Sequence, residues 1–136
     1  MSASDTPAFP AVHLDSIGQV AITVDDLPRA KDFYQNTLGM KFLFDAGHLA
    51  FFQCGTVRLM LTTPQKPEPR GGTILYYKVA DIQSTCAAIK ARGAALLEEP
   101  HLIARMTDHD LWIASLKDPA DNILDIMCEV RSQPQA

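Results

Sequence analysis

Cysteine is scarce and scattered in this chain. Cys54, Cys86 and Cys128 are odd in number and form no C-x-x-C pair, which argues against both a disulfide framework and a thiolate zinc site. Buried, reduced thiols are the expectation, and Cys54 has no neighbouring histidine in its motif that would make it a nucleophile. Basic charge is also in short supply. Twelve Lys and Arg stand against sixteen Asp and Glu, a net charge of −4, and no Lys/Arg cluster offers a surface to track phosphates, so no nucleic-acid partner is expected. No apolar run approaches the roughly 18 residues that a membrane-spanning helix needs. The opening MSASDTPAFPAVHLDS lacks both the charged start and the long apolar stretch of a secretory signal. These absences together predict a cytoplasmic protein without a membrane partner.

What is present is enough for one packed domain: 136 residues, 47% hydrophobic and 21% charged. A loose leader is expected over residues 1–15 and a frayed polar tail over 131–136, with a single domain between them at 16–130. That domain contains a repeat. QVAITVDDL, ending its apolar run at Val24, matches ILYYKVADI, which ends its run at Val79: each is an apolar strand, then an acidic turn, then Leu or Ile. A helical pattern follows each. Ala30, Phe33, Tyr34, Thr37 and Leu38 form one stripe, and Ile82, Cys86 and Ile89 form the other. Asp26 and Asp81 stand where N-caps belong, Pro28 fits the first turn, and Gly39 and Gly93 stand where left-handed C-terminal caps belong.

Strand-like segments follow at 41–45, 49–54 and 56–63 in the first half and at 95–98, 110–117 and 122–129 in the second. The unit is therefore β-α-β-β-β, used twice. Module one covers 16–63 and module two 73–130, joined by a proline- and glycine-rich linker at 64–72. The fold class is α+β, with two βαβββ modules forming a curled mixed sheet around a shared cavity. Period-2 alternation assigns the faces. Val20, Ile22, Val24, Leu59, Leu61, Leu75, Tyr77, Leu124, Ile126 and Cys128 fall on the apolar, helix-covered side. The more polar opposite side carries Gln19, Thr23, Arg58, Met60, Thr62, Ile74, Tyr76, Lys78, Asp125 and Met127, the expected lining of a small-molecule cavity. Ala21, Ile123 and Glu129 extend it.

The paired modules, the QVAITVDDLPRAKDFY opening with LGM closing its helix, and DPADNILDIM near the end together resemble the vicinal oxygen chelate superfamily. That group holds glyoxalases, methylmalonyl-CoA epimerases, extradiol dioxygenases and bleomycin-binding proteins. The resemblance covers about 17–130 and implies a homodimer. It also implies four metal-ligand positions, which fall here on Gln19, Met60, Ile74 and Asp125. A thioether and a hydrocarbon cannot replace an imidazole or carboxylate on a divalent ion, so Gln19 and Asp125 are the residual candidates and no complete chelate is expected. Asp121 stands where the family's turn has glycine, with Pro119 setting the second turn position.

Two functional readings follow. One is a metal-independent protein, similar to the bleomycin-resistance members, that binds a small organic molecule in its cavity. The other is a metal-dependent lyase, isomerase or dioxygenase in which Gln19 and Asp125 hold a divalent ion. Asp125 is weighed as a metal ligand, a general base or half of an ion pair with Arg58 or Lys78, and the pair is the expectation because a buried lone carboxylate is costly. Tyr76 and Lys78 are weighed as an acid–base pair against a solvated strand lysine. His48, His101 and His109 are weighed as ligands of a different metal, with Asp108 or Asp110, against ordinary surface histidines. Phe51, Phe52 and Trp112 read as core aromatics unless a planar ligand stacks on them. The segment HLIARMTDHD reads as a polar loop able to act as a lid, with His101 and Arg105 facing an anionic ligand or solvent.

Overall fold

The computed structural model describes Val12, residues 14–64 and residues 72–131. The leader 1–15, the linker 64–72 and the tail 131–136 fall wholly or mostly outside those residues. Among the described residues, eleven elements follow one another in two matching runs. The first is β1 (Gln19–Thr23), α1 (Leu27–Asp32) continued by a π-helical turn (Phe33–Thr37), then β2 (Lys41–Ala46), β3 (Leu49–Cys54) and β4 (Val57–Thr62). The second is β5 (Leu75–Lys78), α2 (Ile82–Ala91), β6 (Leu96–Arg105), β7 (His109–Lys117) and β8 (Ile123–Arg131).

Each run builds a four-stranded sheet with the same order, β1-β4-β3-β2 and β5-β8-β7-β6. In both, the first strand lies parallel to the last and the other pairs are antiparallel. This is the α+β architecture of two βαβββ modules, with curled sheets that do not close.

The helix ends follow their capping chemistry. Asp26 accepts from the Arg29 N–H at 3.1 Å and Asp81 from the Ser84 N–H at 3.2 Å, each satisfying one orphan donor of the first turn. Gly39 and Gly93 take φ of 74° and 95°, the left-handed values glycine adopts without a Cβ clash. One local feature departs from the expected α-helix: the Leu38 N–H reaches the Phe33 carbonyl at 2.9 Å, a five-residue step that widens the last turn of the first helix.

β6 is the main correction. The expected strand 95–98 and polar lid over 101–110 are instead one strand through Arg105, a tight turn, and the start of β7. Pro100 explains why the pattern misled: it cannot donate to the ladder, and pairing with β7 slips between Leu96 and Glu98, between Glu98 and His101, and between Leu102 and Ala104. An irregular strand shows no clean alternation.

The helix-covered faces of both sheets join a single core. Tyr34, Phe52, Leu59 and Leu61 come from module one, and Cys86, Leu116, Leu124 and Ile126 from module two. The modules are thus fused through their apolar sides. Two polar links reinforce the joint: the Tyr34 hydroxyl donates to Asp118 at 2.9 Å, and the Asn122 amide donates to the Thr23 carbonyl at 2.8 Å.

Candidate functional site

The strand registers place the predicted cavity residues on the two open sheet faces. In the first sheet, Gln19 lies opposite Arg58, Ala21 opposite Met60 and Thr23 opposite Thr62. β3 then sets Gln53, Phe51 and Leu49 beside Arg58, Met60 and Thr62, and β2 sets Phe44 beside Phe51. In the second sheet, Tyr76 lies opposite Asp125 and Lys78 opposite Met127. β7 adds Ser115 beside Asp125 and Ile113 beside Met127. Ile74 sits just before β5, exposed. Gln19 and Met60 touch, with the amide nitrogen 3.8 Å from the thioether sulfur.

Asp125 is the unusual group. It is only 6% exposed, yet its Oδ1 has no hydrogen-bond partner. The expected ion pair does not form with either cation. Lys78 pairs with Glu129 instead, at 2.9 Å, and holds that carboxyl below the usual range, its hydrogen bond being the largest cause. Glu129 is longer and more exposed than Asp125, so the pair stays partly hydrated and avoids the desolvation cost of a buried bridge. Arg58 belongs to the other sheet, where its register neighbours are Gln19 and Gln53, and its guanidinium lies over the Phe51 ring, 5.8 Å from the centroid.

The histidines go elsewhere. His109 contacts Asp108 at 2.8 Å and approaches Glu129 at 3.8 Å, while His101 lies 3.4 Å from Glu98 and Arg105 3.3 Å from Asp110. His48 lies in the β2–β3 turn, where its carbonyl accepts from the Thr63 N–H at 3.3 Å. Among the described residues no three His, Cys, Asp or Glu side chains converge as a metal-holding group. His101 and Arg105 lie on a strand rather than on a lid.

Both adjacent phenylalanines are buried, but on opposite sides of the sheet: Phe52 lies in the main core, opposite Leu59, while Phe51, 8% exposed, lies on the other side beside Met60 and stacks on Phe44 with ring centroids 4.6 Å apart. Adjacent phenylalanines in a strand must point opposite ways. That rule was the available signal, and only the register decides which one joins the main core.

Two four-stranded sheets, each with a parallel first-to-last pair, one helix-covered face and one open face, define a paired-βαβββ protein. Residues 16–126 match the Glyoxalase/Bleomycin resistance protein/Dioxygenase superfamily, and the chain belongs to that family. A protein of Mycolicibacterium smegmatis, described as uncharacterized, is 30% identical over 86 residues, covering 62% of this chain and 73% of that protein. Lactoylglutathione lyase from Agrobacterium tumefaciens superposes with a TM-score of 0.68 at 24% identity, over 83% of this chain and 92% of its own. A glyoxalase/bleomycin resistance/dioxygenase superfamily member from Sphaerobacter thermophilus gives 0.71 at 20% identity, over 85% and 98%. At those identities the likeness is one of fold. No helix among the described residues is long and apolar enough to cross a membrane.

Proposed function

We propose that this protein binds a small organic molecule on its open sheet faces without the complete metal chelate of its family. The buried, unpartnered Oδ1 of Asp125 carries the reading. A carboxylate oxygen withdrawn from water and given no donor is a cost that a ligand donor removes on binding. The ligand therefore presents an N–H or ammonium group to Asp125. Tyr76, across the strand pair from Asp125 and 51% exposed, supplies an apolar wall beside it. The donor chemistry at the other chelate positions supports the same reading. Met60 and Ile74 offer a thioether and no donor at all, so Gln19 and Asp125 alone do not make the three-ligand set of a zinc site.

A homodimer completes the cavity in this reading. Phe44 in the first sheet and Ile74, Tyr76 and Ile123 in the second are each more than 40% exposed on or beside the open faces, apolar surface that a second copy would cover. The protein acts in the cytoplasm on a small-molecule ligand.

Elemental analysis tests this against the metal-dependent alternative. The protein and a Gln19→Ala, Asp125→Ala double variant are incubated with zinc, nickel, manganese or ferrous iron, then desalted. The expected result is no stoichiometric metal in either, with benzylammonium raising the melting temperature of the unmodified protein only. Stoichiometric metal that disappears in the double variant overturns the reading in favour of a metal-dependent lyase, isomerase or dioxygenase.

A further inference from the structure

A pocket that opens to solvent lies on the helix-covered side of the sheets, opposite the open faces. It is a cavity of about 350 Å3 where the end of the first helix, the end of β3, β5, α2 and β8 meet, within the roughly 300–1,000 Å3 range of small-molecule pockets. Its apolar wall comes from Leu38, Met40, Val79, Ile89 and Ile126. Tyr77 also lines it, and the Tyr77 hydroxyl is buried without a hydrogen-bond partner.

The repeat shows that packing alone does not require this hydroxyl. Ile22 occupies the matching place in β1, opposite Leu61, as Tyr77 lies opposite Ile126 in β5. A hydrocarbon serves in the first module where the second has a phenol. Burying a hydroxyl without a partner costs free energy that a ligand acceptor would recover. The other polar side chains on the wall are Thr37, Cys54, Thr85 and Arg92, all able to donate, with no Asp, Glu, Asn or Gln among them. Burial first, then Cys54 and Asp118, push the Tyr77 phenol upward from its ordinary value, so the group keeps its proton.

We propose that this intermodule cavity is a separate binding site for a small, neutral, apolar molecule bearing one carbonyl acceptor, which takes the Tyr77 hydroxyl hydrogen bond. A cationic ligand would meet the Arg92 guanidinium as well as the apolar wall, and an anionic one would compete with the Ala88 carbonyl, to which Arg92 donates at 3.3 Å, and lose hydration against the rest of the wall. A pure hydrocarbon would leave the phenol unpaired.

The test uses two probes of nearly the same shape, acetophenone and α-methylstyrene, which differ by C=O against C=CH2. Each is titrated into the 15N-labelled full chain and into Tyr77→Phe, with binding read from backbone amide shifts. The expected result is that acetophenone shifts the amides of Leu38, Met40, Cys54, Val79 and Ile89. Tyr77→Phe should then weaken acetophenone about fivefold, the worth of one hydrogen bond, and leave α-methylstyrene unchanged or tighter. Ala88→Leu, which fills the cavity from α2, should weaken both probes while the amide spectrum stays dispersed. The proposal is overturned if neither probe shifts these amides, if the shifts fall on Phe44, Phe51, Tyr76 and Asp125 instead, or if Tyr77→Phe changes both probes equally.

Discussion

Tyr34 and Asp118, 84 residues apart in sequence, meet at 2.9 Å in the core, and this hydrogen bond ties the first helix of module one to the β7–β8 turn of module two. Both residues are nearly inaccessible to water. The same carboxylate also accepts from the Ala120 and Asn122 backbone N–H groups and from the Asn122 amide, at 2.8–2.9 Å. Asp118 therefore organises its own turn and receives the helix.

Tyr34→Phe removes one donor from that carboxylate and leaves the turn intact. Hydrogen bonds to charged groups are worth about 1.5–3 kcal/mol. The expected loss is about 2 kcal/mol, read as a lower urea midpoint at unchanged slope. Asp118→Ala, which orphans four donors, should cost more. If Tyr34→Phe leaves the midpoint where it was, the link does not hold the modules together.

Alkaline pH should weaken the fold through the same region. Burial, the largest cause, raises both Tyr34 and Tyr77 well above the ordinary phenol value of 10.0. The folded chain then keeps protons that the unfolded chain releases, so stability is full below about pH 9 and falls as pH rises past about 10. Each tyrosine contributes a slope of up to about 1.4 kcal/mol per pH unit. Urea midpoints for the unmodified protein should drop between pH 9 and 11. Tyr34→Phe and Tyr77→Phe should each flatten that drop, and an equal drop in all three proteins would show that other groups set the alkaline limit.

Asp125→Asn separates stability from binding. The buried carboxylate costs the empty protein stability, so the neutral amide should raise the urea midpoint by about 1 kcal/mol equivalent. The same change removes the charge that receives a ligand ammonium, and benzylammonium should no longer shift the melting temperature. A destabilised variant would indicate that Asp125 already has its partner in the free protein.

The repeat makes the fold legible in the sequence. Asp26, Gly39, Asp81 and Gly93 are capping residues whose chemistry is local, so their places follow from sequence alone. The face assignments around Val20, Leu59, Leu75 and Leu124 were readable for the same reason, since alternation is a property of the single strand. β6 was not readable, because Pro100 and three register slips erase its period. The partners of Asp125 were hidden for another reason. Which of Glu129 and Asp125 receives Lys78 depends on their relative exposure across the β5–β8 pair, a tertiary quantity. Phe51 and Tyr77 belong to the same class: their strands were identified, but whether an aromatic faces packed core, an open face or a cavity is decided by the neighbouring strand or module.

Asp121 supplies the last prediction. The Asp121 N–H bonds the Asp118 carbonyl at 3.0 Å, and Asp118 in turn donates its N–H to the Asn122 carbonyl at 2.9 Å, closing a tight turn with Pro119 at its second position. Closing it requires Asp121 to adopt φ of 68°, and it is the described non-glycine residue with a positive φ. Aspartate tolerates this region better than most residues, but its Cβ still crowds the backbone, at up to about 1–2 kcal/mol. Glycine removes that clash and gives back part of the gain through the extra freedom of the unfolded chain. Asp121→Gly should therefore raise stability by about 0.5 kcal/mol. Asp121→Val, β-branched and without a side-chain hydrogen bond to offset the strain, should lower it by about 1–2 kcal/mol. Thermal melts of the two variants should fall on opposite sides of the unmodified protein. If both fall on the same side, the strain at this turn is not what Asp121 contributes to stability, because strain relief at φ of 68° favours glycine and opposes valine.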